Sequence, residues 1–385
     1  MSAPLATTAE REAALLAPYA MHSADSRGRK HPEPEHPYRG PFQRDRDRIV
    51  HSGAFRRLSG KMQVFTGDMG DYHRTRLTHT HEVASLARTI ARSLRLSEDL
   101  VEALALFHDI GHPPFGHAGE DALDECLQDH GGFSHNRYAL TIAEELESRY
   151  PAFPGLNLTH EVLDGQATRV AKAAAYAAAE GGPLLEVQVV EAADSMTYDA
   201  HDTDDAVKLR LVTLDELAQN ALIREALVSV RSRHADLRED LLRKAVVHQL
   251  IDRQVTDVLD HAGRRLAAEE PPSAQAARRL PLMIGPSPAM AELKRELERF
   301  LYDRVYRHPR LAAVRTQAQE RLKRMFDGYL ARRELLPPRY QARAAAVGLP
   351  RAVGDYLAGM TDRFCEQQYR QHFAGEPRGE AARNS

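Results

Sequence analysis

The sequence predicts an all-α protein, and three observations carry that reading. Apolar residues recur at helical spacing over most of the chain, as in Leu77, Val83, Leu86, Ile90 and Leu94, where Ala84, Ala87 and Ala91 permit close packing. Gly and Pro clusters punctuate the helical runs. The chain contains no strand-rich block and no internal repeat. Its 385 residues suffice for one large helical domain or two ordinary ones.

Residues 8–19 read as a short helix. Residues 22–40, rich in Pro, Arg, His and Gly, read as loop, so that 1–40 is expected to be a flexible N-terminal arm. Its basic residues could touch a nucleotide or another subunit, although a solvated tail is the plainer reading. Arg44, Arg46, Arg48, Arg56 and Arg57 are interleaved with Asp45 and Asp47, so much of that charge is paired internally rather than offered to nucleic acid. The Gly-rich stretch 66–72 has no Walker pattern. A helix begins near Arg76. Ser97, followed by Glu98 and Asp99, starts another that runs to Asp109. Gly111 and Pro113-Pro114 stop it. Further helices are expected at 120–128, at 138–150 capped by Ser134 or Asn136, at 160 to about 179 capped by Thr159, and at 184–201. Long helices fill 213–268. Residues 269–288, with five prolines, read as a linker, and helices at 290–336 and 353–373 close the chain.

The formal net charge of −3 gives no global basic field for nucleic acid. Two cysteines, Cys126 and Cys365, argue for a reducing compartment rather than a disulfide framework. No apolar run is long enough to span a membrane, and residues 1–11 are polar, without the apolar stretch of a secretory signal. A cytoplasmic enzyme with no membrane partner is expected.

Chemistry concentrates in the stretch from Phe107 to Glu120. His108 and Asp109 sit where an apolar helix breaks into a loop, a place that can hold a metal and leave one side open. An adjacent His-Asp pair needs further ligands, and His79 and Asp194 lie in apolar helical contexts that predict burial. Together they make a His2Asp2 set. Such a set takes a divalent ion among Mn, Fe, Co, Ni and Zn, and less naturally Mg; the residue types do not choose. Taken singly, His79 could be a helix-start residue and Asp194 a capping carboxylate. Arg76, three residues before His79, shares its helix face and can reach a phosphate held at the metal. His112, His117 and Glu120 follow on the broken loop, where a histidine suits proton transfer near pH 7 and Glu120 can orient it. Plainer roles are a turn residue for His112 and a first-turn carboxylate for Glu120. Asp194, Tyr198 and Asp202 fall along one helical stripe.

The ordered set His79, His108-Asp109, Asp194 resembles the HD-domain metal phosphohydrolases. The wording around it is similar to the dGTPase branch: Phe55-Arg56-Arg57-Leu58, Lys61-Met62-Gln63-Val64-Phe65, Arg74-Thr75-Arg76-Leu77-Thr78-His79, the run from His108 to His117, and Glu191-Ala192-Ala193-Asp194. The likeness, dense over 41–210 and returning at 355–364, implies a catalytic core at 41–210 with a helical C-terminal region at 211–385. It implies an HD-domain helical fold with additional C-terminal helices, and hydrolysis of dGTP or other dNTPs to a deoxynucleoside and tripolyphosphate by water attack at the α-phosphorus. It further implies His117 as acid or base with Glu120 as its partner, and His135 as a second active-site histidine. Gln63 would touch the sugar 3′-hydroxyl, Val64 would crowd the C2′ edge, and Tyr198 and Asp202 would contact the sugar. Ser195 stands where some relatives carry a lysine for phosphate. The resemblance also implies a homo-oligomer and regulation by a dNTP or single-stranded DNA. The competing expectations are an HD phosphohydrolase of other nucleotides and a nucleotide- or DNA-sensing protein with weak catalysis.

Overall fold

A computed structural model describes residues 6–63, 74–171, 181–234 and 236–374. Among these residues the regular structure is helical, with three isolated bridges and no strand, which matches the all-α expectation. The first helices are α1 (Thr8–Leu15), α2 (Pro41–Val50) and α3 (Gly53–Arg57). The central pair is α4 (Arg76–Ser93) and α5 (Glu98–Phe107). Thr75 and Ser97 start these two by accepting from the backbone N–H groups of Thr78 (3.3 Å) and Leu100 (3.4 Å). Val83, Ala87, Ile90 and Ala91 of α4 are buried in one core with Leu100, Leu104 and Phe107 of α5.

Next come α6 (Gly116–Cys126), α7 (His135–Thr141), α8 (His160–Ala171) and α9 (Leu185–Lys208). Helix α6 starts before residue 120, so His117 and Glu120 stand on its first turns and not on a loop. The cause is Phe115, whose left-handed backbone (φ 64°), followed by Gly116 (φ 58°), turns the chain directly into the helix. Such a conformation costs a bulky residue roughly 1–3 kcal/mol unless surroundings enforce it. Asp362 supplies enforcement: its carboxylate accepts from Phe115 N and from Met62 N, each at 2.9 Å. The recurrence of family-like wording at 355–364 thus has a structural reason, since this segment also presents the Ala358 carbonyl to Lys61. Helix α7 ends at Thr141 in a π-turn, Ile142–Leu146, rather than running to 150. The expected continuation of α8 to 179 falls outside the described residues, and α9 runs past 201 to Lys208.

The remaining helices are α10 (Leu214–Leu217), α11 (Ala221–Arg233), α12 (Glu239–Glu269), α13 (Ala274–Ala277), α14 (Pro288–Leu301), α15 (Pro309–Ala331), α16 (Pro338–Val347), α17 (Leu349–Ala358) and α18 (Asp362–His372). Two apolar cores cut the chain differently from the expected boundary at 210. The first joins α4, α5 and the first half of α9 to Leu322, Met325 and Phe326 of α15 and Val353 and Leu357 of α17. The second joins Ala206 and Val207 of α9 to α11, α12 and α14 through Leu222, Ile223, Val246, Leu250, Leu297 and Leu301. Helix α9 crosses both.

Residues 22–40, expected as a flexible arm, are fastened to the body. The buried Asp45 binds Arg29, and accepts from Thr159 N at 3.1 Å and Thr159 Oγ1 at 2.5 Å. A buried carboxylate needs such partners, and here they come from the arm and from the start of α8. The 269–288 stretch is likewise tied down: Gln188 Oε1 accepts from Met283 N (2.9 Å) and Ile284 N (3.0 Å).

Candidate metal centre

Three helices deliver the cluster. Helix α4 carries Arg76 and His79 one turn apart, the end of α5 presents His108 and Asp109, and α9 brings Asp194 across. His79, His108 and Asp109 each place one ligand atom within 4.8 Å of the others, and all three are buried. Asp194 Oδ1 lies 3.1 Å from His79 Nε2 and 3.6 Å from His108 Nε2.

The tautomer of His108 tests whether a metal fits. Its Nδ1 lies 2.6 Å from the Ala105 carbonyl, which can only accept. Nδ1 therefore carries the proton, and Nε2 is a bare lone pair. That atom is buried without a hydrogen-bond partner among the described residues, 3.4 Å from Asp109 Oδ1 and 3.6 Å from Asp194 Oδ1. A buried lone pair aimed at two carboxylate oxygens is unfavourable unless a cation lies among them. The donor set is two imidazoles and two carboxylates, which suits a divalent ion.

The electrostatics agree. Burial opposes ionisation of Asp109, but His108, His112 and Arg76 outweigh it and hold its carboxyl well below the usual range. Asp194 is held low as well, with His108 and Arg169 outweighing burial. Burial pushes His108 down, toward the neutral form a ligand requires. Each carboxylate also has a guanidinium. Arg76 Nη1 donates to Asp109 Oδ2 at 2.8 Å, and Arg169 Nη2 donates to Asp194 Oδ2 at 2.7 Å. A divalent ion would thus add its charge to carboxylates already neutralised, which favours a polyanionic ligand.

The other sequence-selected residues divide. His112 is buried, with Nε2 3.2 Å from Asp109 Oδ1, and stacks on His135 with ring centroids 3.7 Å apart. It is not among the residues that line the cleft beside His117. Glu120 accepts from His135 N (2.9 Å) and pairs with His135 Nδ1 (2.8 Å), not with His117 as expected. Helix α6 sends Glu120 toward the first turn of α7, where His135 sits, and leaves His117 exposed. His117 faces a cleft of about 260 Å³ that is also lined by Gln63, Tyr198, Tyr302, Tyr306 and Arg315. Gln63 Oε1 is buried there and without a partner among the described residues. Asp202 does not line the cleft; it is buried behind Tyr306, whose hydroxyl donates to it and accepts from Tyr198 Oη (2.5 Å). Burial, with Asp205 and Asp199 near, pushes Asp202 well above the usual carboxylate range. Val64 lies outside the described residues.

Sequence reading missed Arg169, Tyr302, Tyr306 and Arg315. The tyrosines lie on the π-turn Tyr302–Tyr306, far along the chain from the ligands, and no local pattern announces their approach.

Helices that converge on a buried His/Asp cluster define an HD-domain protein: the HD domain family matches residues 76–199, and the phosphohydrolase-associated domain matches residues 284–371. Over 94% of its length the chain is 43% identical to a deoxyguanosinetriphosphate triphosphohydrolase-like protein of Thiobacillus denitrificans, covering 98% of that protein. Similar proteins of that name occur in Ralstonia nicotianae (41% identity, 94% of this chain, 95% of that protein) and Brucella ovis (43%, 94% and 96%). The chain belongs to the deoxyguanosinetriphosphate triphosphohydrolase-like family of HD phosphohydrolases. No described helix is long and apolar enough to cross a membrane.

Proposed function

We propose that this protein hydrolyses deoxynucleoside triphosphates, dGTP among them, to the deoxynucleoside and tripolyphosphate. The observation that carries the proposal is the His108 lone pair, unpartnered among the described residues and aimed at two carboxylates, beside a cleft lined by His117, Gln63 and Tyr198. His79, His108, Asp109 and Asp194 are the proposed ligands, and the divalent ion they hold would polarise a phosphoryl oxygen and acidify a water. Arg76, at the first turn of α4, binds phosphate oxygens. His117, free of other hydrogen bonds among the described residues, moves a proton at the leaving 5′-oxygen or the attacking water. Glu120 holds His135, and His135 stacks on His112, so these two histidines act as a stacked support. Gln63 Oε1 accepts from a sugar hydroxyl, and Tyr198 packs on the sugar.

The test reconstitutes the metal-free protein with Mn, then Mg, Fe and Co, and presents each dNTP singly and all four together. Deoxynucleoside plus tripolyphosphate, absent from His108→Ala and Asp109→Ala, is expected. A dNMP plus pyrophosphate, or no product under any metal, would overturn the proposal.

We also propose that the protein is a cytoplasmic homo-oligomer regulated by a dNTP or single-stranded DNA. The family likeness motivates the last two features, and the two free cysteines, Cys126 and Cys365, the first. A monomeric mass by light scattering at assay concentration would reject the oligomer, and rates unchanged by dNTP mixtures or single-stranded DNA would reject the regulation. Export of the protein from cells would reject the location.

A further inference from the structure

His79 has a second nitrogen that the metal does not use, and what that nitrogen meets is unusual. Its Nδ1 lies 3.3 Å from Nδ1 of His201, a residue buried on α9. On the far side, His201 Nε2 is hydrogen-bonded to the carboxylate of Glu82. The three residues form a line from the surface to the metal centre: Glu82 is half exposed, whereas His201 and His79 are buried. Two helices build it. Glu82 follows His79 by three positions on α4, and His201 follows Asp194 by seven on α9, so each helix contributes one ligand and one supporting group on the same face.

Proton positions follow from donor and acceptor rules. A carboxylate only accepts, so the Glu82 contact places a proton on His201 Nε2. The neutral His201 ring then offers Nδ1 as an acceptor. His79 Nδ1 must be the donor, which leaves the His79 Nε2 lone pair facing Asp194 and the metal position. The opposite direction would require His201 to hold two protons at once.

We infer that Glu82 and His201 form a relay that fixes the tautomer and ring orientation of His79, making them positioning residues for the metal. This rests on the proposed metal centre and extends it: His108 is oriented by a main-chain carbonyl, and His79 by a side-chain pair. Hydrogen-bonded partners of this kind set ligand orientation and basicity, and their loss weakens metal affinity by about 10–100-fold.

The test is the Mn2+ dissociation constant of the metal-free full-length chain, read by electron paramagnetic resonance of free Mn2+. Thermal unfolding of the metal-free protein is measured alongside. His201→Leu removes the acceptor and is expected to weaken Mn2+ binding by about 10–100-fold. His201→Gln keeps a carbonyl acceptor within reach and is expected to restore most of the affinity. Glu82→Gln removes the charge that orders His201 and should fall between them. Wild-type affinity in His201→Leu would overturn the inference. So would equal weakening in His201→Leu and His201→Gln accompanied by equal loss of metal-free stability, which is the mark of a packing defect. Failure of the metal centre itself shows differently, as no bound Mn2+ in the wild type.

Discussion

Replacing Gly111 with alanine tests how the loop after His108-Asp109 is held against α7. A Cβ at this position would lie 2.0 Å from the His135 carbonyl oxygen and 2.5 Å from Ala139 N. Both are backbone atoms of α7, so no rotamer change relieves the contact. Opening the gap to a tolerable separation moves the first turn of α7 by at least about 1 Å, and overpacking against backbone sits at the upper end of the usual cost, about 3 kcal/mol. Unfolding entropy near 2.1 cal/mol/K per residue amounts to about 0.8 kcal/mol/K for this chain, so the melting temperature should fall by about 4 °C. The same shift carries His135 away from His112, its stacking partner, and from Glu120. A misplacement of about 1 Å in a supporting group can lower turnover by about 100-fold. Differential scanning calorimetry and dNTP turnover by chromatography measure the two effects. A variant that melts and turns over like the wild type would refute the packing argument. A stability loss without a rate loss would show that the His112–His135–Glu120 group does not support catalysis.

Three further outcomes are expected. Mn2+ at about 100 times its dissociation constant should stabilise the metal-free protein by about 2.7 kcal/mol, near 3 °C, and should leave His108→Ala unmoved; equal shifts in both would place the ion elsewhere. Tyr306→Phe removes the hydroxyl that bonds Tyr198 and Asp202. One such buried bond is worth about 1–2 kcal/mol, so kcat/KM should fall by about 5–30-fold, and an unchanged value would detach this tyrosine from the substrate cleft. Lys61, whose ammonium donates to the carbonyls of His112 and Ala358, is pushed by burial and then by Arg57 from 10.5 down to about 7. Between those values the unfolded chain holds the proton that the folded chain has lost. Lys61 therefore makes stability rise with pH across that window, by at most about 1.4 kcal/mol per unit. Urea unfolding at pH 7, 8 and 9 should show this rise in the wild type relative to Lys61→Met, and parallel curves would refute it.

Much of this protein was legible in its residues alone. Helix starts at Thr75 and Ser97 were readable because a capping side chain bonds a backbone N–H three residues away. The cluster of His79, His108, Asp109 and Asp194 was readable because charged groups in apolar helical runs need a partner or a metal. Contacts between distant segments were not readable. Asp362 and Phe115 lie 247 positions apart, and nothing local in either foretells that one enforces the left-handed backbone of the other and so moves the start of α6. Spacing suggested that Glu120 serves His117, three residues away, but the approach of α7 gave Glu120 to His135 instead. Tyr306 reached Asp202 from another helical layer in the same way. Helix caps and apolar periodicity act over one or two turns and are written in the chain. The partners of Glu120, Asp202 and His79 depend on which helices meet, and only the packing of both cores decides that.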